Sequence, residues 1–186
     1  WHNGDMRKQY NQQLDSHEDH AGRTILDPKR IVADGYDAIA ERHAAWALHT
    51  RTQERERYVA LLMRALPAGA AVLDLGCGAG LPTTRALAAR FRVTAVDLSA
   101  RQVALARANV PGAMILQGDM TQVAFAPASF DAVAAFYSII HVPREEHATL
   151  FRRVASWLRP KGVFLAALAA SDTEAGYEPE WLGAPM

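Results

Sequence analysis

One stretch constrains this chain more than any other: Ala71-Val72-Leu73-Asp74-Leu75 runs straight into Gly76-Cys77-Gly78-Ala79-Gly80. A short apolar run of this kind reads as a strand buried on both faces, the pattern of a parallel sheet. The glycines let the backbone turn tightly and approach a ligand with no Cβ in the way. The alternation then repeats. Leu81 to Phe91 predicts a helix, and Val93-Thr94-Ala95-Val96 a second strand ending at Asp97. Residues 100–109 predict a helix opened by a capping box, with Ser99 as the cap and Gln102 at the third helical position. Met114 to Gln117 is a third strand running into Gly118-Asp119, and Phe130 to Phe136 a fourth. Pro143 opens a helix with Leu150, Phe151, Val154 and Leu158 on one stripe, Arg159-Pro160-Lys161-Gly162 predicts a tight turn, and Val163 to Leu168 a fifth strand. Strands alternating with helices specify an α/β fold, a doubly wound, mostly parallel sheet with right-handed crossovers. Ligands of such sheets sit at the carboxyl ends of the strands, near the point where strand order reverses.

The rest of the chain divides around that core, expected at 70–170. Residues 1–30 read as a polar arm. His2, His17 and His20 fall there without a carboxylate–histidine signature, so no metal site is expected. Residues 31–69 read as a helical cap segment, with one stripe from Tyr36 through Ile39, Ala40 and His43 and another of Val59, Leu62, Met63 and Leu66. Residues 171–186, with Tyr177 and Trp181, read as a lid or connector. Twenty basic residues balance twenty acidic ones, which argues against nucleic acid and against a charged membrane surface. The longest apolar run, Val163 to Ala170, falls far short of the roughly 20 residues that span a bilayer. The single Cys77 excludes an internal disulfide. A cytoplasmic protein is expected.

The polar residues of interest lie at strand ends. A dinucleotide-binding loop, G-x-G-x-x-G, needs glycine where Leu81 stands, and Leu81-Pro82 supplies no phosphate-binding G-K-S or G-K-T. Asp74 would repel a pyrophosphate but suits a ligand carrying ammonium or sulfonium charge. Asp97, ending the second strand, either accepts from both hydroxyls of a ribose or caps the next helix, where Ser99 is the better cap. Asp119 either accepts from an exocyclic amine such as that of adenine, with Met120 packed on the ring, or makes a local turn.

Val72 to Gly80, Val96-Asp97-Leu98-Ser99, Gly118-Asp119-Met120, Phe130-Asp131-Ala132-Val133 and Leu158 to Gly162 together resemble the successive motifs of the class I S-adenosylmethionine-dependent methyltransferases. The resemblance covers roughly residues 31–186. It implies a Rossmann-like sheet and the cofactor S-adenosylmethionine. It places Gly76, Gly78 and Gly80 against the methionine and ribose parts, Asp97 on the ribose, and Asp119 with Met120 at the adenine. Asp74 would face the amino and sulfonium end, with Leu98 and Phe136 completing the cofactor contacts. Tyr36, in Gly35-Tyr36-Asp37, resembles the tyrosine that reaches the cofactor's carboxylate in small-molecule members, or else it packs its helix.

Two departures stand out. Lys161 takes the middle of a turn usually written Pro-Gly-Gly, which predicts a turn with no positive φ there. The family's sheet normally has seven strands and this sequence supplies five, so the last two are expected to be missing from it. The exposed edge makes a homodimer an expectation. A small-molecule acceptor is expected: Ala135-Phe136-Tyr137-Ser138 lacks the Asn/Asp-Pro-Pro-Tyr motif of nucleic-acid amine methylation, and no cysteine follows the fourth strand. His141, after that strand, is the candidate general base, with Tyr137, His43 and Tyr177 as further candidates; its other reading is packing beneath the loop. The alternative function is a domain that binds S-adenosylmethionine without transferring its methyl group.

Overall fold

Asp27 and Pro28 fix where the first long helix begins. Asp27 is extended and its carboxylate accepts from the Lys29 amide at 2.9 Å. Pro28 occupies the first turn, where a missing N–H has no consequence. In this computed structural model, which describes residues 17–18, 24–25, 27–168 and 180–184, that helix, α1, runs Pro28–Ala47. It starts ahead of the expected boundary at 31. A second helix, α2, Thr52–Ala65, sends back Arg55, whose Nη1 donates to Ala47 O and Thr50 O at 2.9 Å and so closes the carbonyl end of α1. Within the expected arm, His17–Glu18 pairs antiparallel with Thr24–Ile25.

The alternation predicted from the glycine turn onward is present. Its strands are β1 (Ala71–Leu75), β2 (Arg92–Asp97), β3 (Met114–Gln117), β4 (Phe130–Phe136) and β5 (Leu158–Ala167). Between them lie α3 (Thr83–Ala88), α4 (Ala100–Asn109) and α5 (Arg144–Trp157). The sheet order is β3-β2-β1-β4-β5 and every neighbouring pair is parallel. Order reverses between β1 and β4, which is the switch point. Side chains alternate across the sheet. Val72, Ala132 and Ala134 pack with Leu62, Leu87 and Val103 on one face. Leu73, Leu75 and Val133 pack with Leu150, Val154 and Trp157 on the other. Both faces being covered is why these strands read as continuous apolar runs.

Three local expectations need correction. The helix expected over 81–91 is only Thr83–Ala88, because Pro82 stands at its cap and residues 89–91 turn toward β2. The turn at Arg159-Pro160-Lys161-Gly162 lies inside β5: Phe130 pairs with Leu158 and Ala132 with Val163, so the extra residues bulge out of the ladder. Lys161 does take a positive φ, +69°, contrary to expectation. Its side chain projects to solvent, whereas a Cβ at Gly162 would meet the Arg159 carbonyl at 2.9 Å. The residue that had to be small was Gly162, and Lys161 absorbs the left-handed conformation beside it. No helix among the described residues is long and apolar enough to cross a membrane.

Candidate functional site

The glycine turn is stitched to both strands that flank β1. Gly76 N and Cys77 N donate to Val96 O at 2.8 and 3.1 Å. Gly76 has φ +78°, and a Cβ there would lie 2.2 Å from Ser138 Cβ. Ser138, just past β4, in turn donates its hydroxyl to Leu75 O at 2.6 Å. The ends of β1 and β4 therefore interlock, with no space for a side chain between them. Gly78 N donates to Asp97 Oδ2 at 2.7 Å, and Asp97 Oδ1 accepts from Ser99 N at 3.0 Å. Asp97 thus braces the loop and the start of α4 at once, while Ser99 Oγ caps Gln102 N at 3.0 Å. The capping box is half formed: the Gln102 amide turns away and donates to His43 Nδ1 at 2.9 Å. Gly80 faces away from the cleft, with α4 against it; a Cβ there would meet Val110 Cγ2 at 2.8 Å.

Asp74, Gly76, Gly78, Asp97, Leu98, Asp119, Met120, Phe136, Tyr36 and His141 all line one cleft of about 1550 Å³ at the carboxyl ends of the strands. Its floor is electronegative. Asp74 is 2% exposed and accepts from Thr84 Oγ1 at 2.7 Å. Burial raises both Asp74 and Asp97 to about 6. Among the described residues neither has a lysine or arginine at ion-pair distance. The fully buried amide oxygen of Gln102, 3.8 Å from where a Cβ on Gly78 would stand, has no hydrogen-bond donor. A cationic ligand that brings hydroxyl and amine donors answers all three features, and S-adenosylmethionine is such a ligand.

Helix α1 forms the roof. Its Asp37 accepts from Ser99 Oγ and from Arg101 N, and its Glu41 pairs with Arg101. The Tyr36 hydroxyl and His141 Nε2 share a hydrogen bond of 2.9 Å, joining roof to β4 loop. Burial lowers the pKa of His141 and brings that of His43 to about 4, so both rings are neutral near pH 7. Burial likewise pushes the Tyr36 hydroxyl far up, keeping it a donor. Trp181 packs edge-on to Tyr36 and Trp46, so the described part of the expected lid does touch the cleft. Tyr177 lies outside the described residues, as do His2 and His20.

At the other end of the roof Lys29 contacts Asp119 Oδ2 at 2.7 Å, Glu146 Oε2 at 2.5 Å and Thr121 Oγ1 at 2.8 Å. Burial works against its charge, but the two carboxylates outweigh that and hold its pKa above the ordinary value. Asp119 also accepts from Thr121 N at 2.8 Å, which leaves it reduced capacity for a ligand amine. Sequence reasoning missed Lys29; the available signal was one of three lysines in an arginine-rich chain, directly after a Pro28 helix start. Lys29→Met is expected to raise the dissociation rate of a bound nucleoside roughly fivefold by loosening the roof. Ion pairs that keep some contact with solvent, as these do, are worth only about 1 kcal/mol, so the melting temperature should move by a few degrees at most. Stopped-flow displacement with a thermal melt checks both.

The geometry agrees with what this chain is similar to. Residues 72–162 match a family model described as a methyltransferase domain. The chain is 33% identical over 152 residues to a 27-O-demethylrifamycin SV methyltransferase of Amycolatopsis mediterranei, covering 70% of this chain and 55% of that protein. It is 37% identical over 127 residues to a ubiquinone biosynthesis O-methyltransferase of Xanthomonas campestris pv. campestris, covering 65% of this chain and 52% of that one. The chain spans about half the length of these curated relatives. Among solved structures, a DhpI–SAM–HEP complex superposes with TM-score 0.61 at 26% identity, over 76% of this chain and 66% of that one.

Proposed function

Because the chain belongs to the class I S-adenosylmethionine-dependent methyltransferases, we propose that its cleft binds S-adenosylmethionine and directs methyl transfer to a small-molecule acceptor. The observation that carries this reading is the Asp97 carboxylate, which ties Gly78 to the end of β2 and keeps acceptor capacity beside an unneutralised Asp74. The cofactor supplies a methyl group already activated on a sulfonium. What remains for the protein is binding, orientation and proton management, and orientation alone is worth up to roughly 7–11 kcal/mol.

Asp97 takes the ribose hydroxyls, Asp119 the adenine amine, and Leu98, Met120 and Phe136 the apolar contacts. Gly76 and Gly78 give close backbone approach, and Gly80 supports the loop from behind by admitting α4. Asp74 lowers the potential at the sulfonium end. Tyr36 donates its hydroxyl to the cofactor's carboxylate and accepts from His141 Nε2–H, which leaves His141 Nδ1 as the free basic nitrogen. His141, neutral and buried, takes the proton from an acceptor hydroxyl; the name of one matched relative, a ubiquinone biosynthesis O-methyltransferase, supports an oxygen acceptor. His141→Ala is expected to lower kcat about 100-fold for a hydroxyl acceptor. Measuring the same variant on a thiol acceptor, which ionises unaided, should show a loss below fivefold.

Neutral net charge supports an acceptor other than nucleic acid, and we place the reaction in the cytoplasm. The outer edge of β5 has no partner strand among the described residues, so a second copy pairing there is proposed; light scattering tests it. Turnover tests the function: release of S-adenosylhomocysteine is expected with members of a phenol and hydroxy-acid panel. Cofactor binding with no release across the panel would leave a binding domain instead.

A further inference from the structure

The order of the strand ends sets out the cleft. Asp119 follows β3, Asp97 ends β2 and the glycine turn follows β1, so a nucleoside with an amino-acid tail is spread across those three ends. What remains is the edge above β4 and β5, roughly 5 Å per strand. Tyr137 stands there with φ +61°, a conformation that a bulky residue adopts only when its surroundings require it. Its amide donates to Ala167 O at 3.0 Å and its hydroxyl donates to Glu54. The guanidinium carbons of Arg51 and Arg55 lie 4.6 and 5.4 Å from its ring centroid. Arg51 is itself at φ +52°. Tyr58 stacks on Phe136 nearby, at 5.5 Å and 17°, giving the same edge an aromatic wall.

The charges at this edge do not balance. Two guanidinium groups line the cleft beside one carboxylate, Glu54, which is already engaged by the Tyr137 hydroxyl. Arg55 is 8% exposed, and its Nη1 is spent on the carbonyls of Ala47 and Thr50. Like charges held this close in a partly desolvated place attract an anion, and a guanidinium fork matches a carboxylate bidentately. The floor under Asp74 and Asp97 is electronegative; this edge is its opposite.

We propose that Arg51 and Arg55, set by Tyr137, form the anchor for a carboxylate on the acceptor, whose apolar body lies against Tyr58. The substrate class is then a carboxylate-bearing small molecule. The assignment rests on the cofactor occupying the other three strand ends. The test is calorimetry of the 186-residue chain saturated with S-adenosylhomocysteine, titrated with benzoate and with benzamide. Benzoate should bind at least fivefold more tightly. Arg51→Met should abolish that preference while changing the S-adenosylhomocysteine affinity less than twofold. Arg55→Met should do the same if it folds, and the exposed Arg51 gives the answer if it does not. Equal binding of the two probes, or binding of neither, overturns the proposal while leaving the cofactor reading intact. So does a tenfold loss of S-adenosylhomocysteine affinity in Arg51→Met with methylthioadenosine affinity unchanged, because the arginines would then serve the cofactor's own carboxylate. Failure of S-adenosylhomocysteine to bind the unaltered chain strikes the underlying reading instead.

Discussion

Asp97→Ala is expected to weaken S-adenosylhomocysteine binding about 100-fold. Two losses combine. On the proposed assignment the ribose would lose an ionic acceptor, and a hydrogen bond to a charged group is worth about 1.5–3 kcal/mol. The glycine turn also loses the carboxylate that holds Gly78 N at 2.7 Å and Ser99 N at 3.0 Å. Asp97→Asn keeps an acceptor for one of these amides and should lose about 10-fold. Calorimetry of both variants, each first shown to be folded, separates the contributions. The same carboxylate makes affinity depend on pH. Burial lifts Asp97 from its ordinary 3.8 to about 6, so ligand affinity should fall as pH drops through 6, approaching tenfold per unit.

Melting curves of the unliganded protein will show this poorly. With folded values above 3.8, Asp74 and Asp97 make stability fall as pH rises from about 4 to about 6. His43, lowered from 6.5 to about 4, acts the other way, losing stability as pH falls through that window. The opposed slopes flatten the curve, so affinity is the quantity to measure.

Gly76→Ala has the largest expected effect on stability. Its φ of +78° costs an L-residue about 1–2 kcal/mol, and its new Cβ would lie 2.2 Å from Ser138 Cβ. Overpacking of that severity adds about 1–3 kcal/mol, for a total near 4 kcal/mol. For a domain of this size that lowers Tm by about 10 °C. Adding Ser138→Gly removes the atom in collision but not the backbone strain, and should restore roughly half. A full restoration would show that the glycine is needed for space alone. Gly69 is the control: it also has positive φ, but nothing lies within 4 Å of a Cβ placed there, so its alanine variant should carry only the backbone cost.

What was legible in the sequence is what local chemistry determines. Strands β1 to β3 announce themselves as apolar runs ended by glycine or aspartate, β4 as an apolar run that stops before Tyr137-Ser138, and α4 matched its predicted limits because Ser99 caps it. Gly76 and Gly78 were expected to border a ligand site, and both line the cleft. Gly80 was expected against the cofactor; the space beside it is taken by Ala106 of α4 and by Val110 just past that helix, twenty-six and thirty residues away in sequence. The half-formed capping box has the same origin: the Gln102 side chain is drawn to His43, 59 residues earlier. Lys29 on Asp119, 90 residues apart, is another such contact. All three depend on how α1 and α4 lie across the strand ends, which no periodicity records. The start of β5 at Leu158 and the positive φ of Lys161 follow from a bulge set by pairing with β4, again a matter of register between strands.

The most direct measurement is calorimetric titration of the chain with S-adenosylhomocysteine and, separately, with NAD. The negative floor at Asp74 and the Leu81 in place of a third spaced glycine argue against a pyrophosphate. The expected result is one S-adenosylhomocysteine per chain with micromolar affinity, tightening from pH 5 to pH 7.5, and no heat from NAD. Folded protein that binds NAD, or that binds neither compound, would contradict the assignment of this cleft.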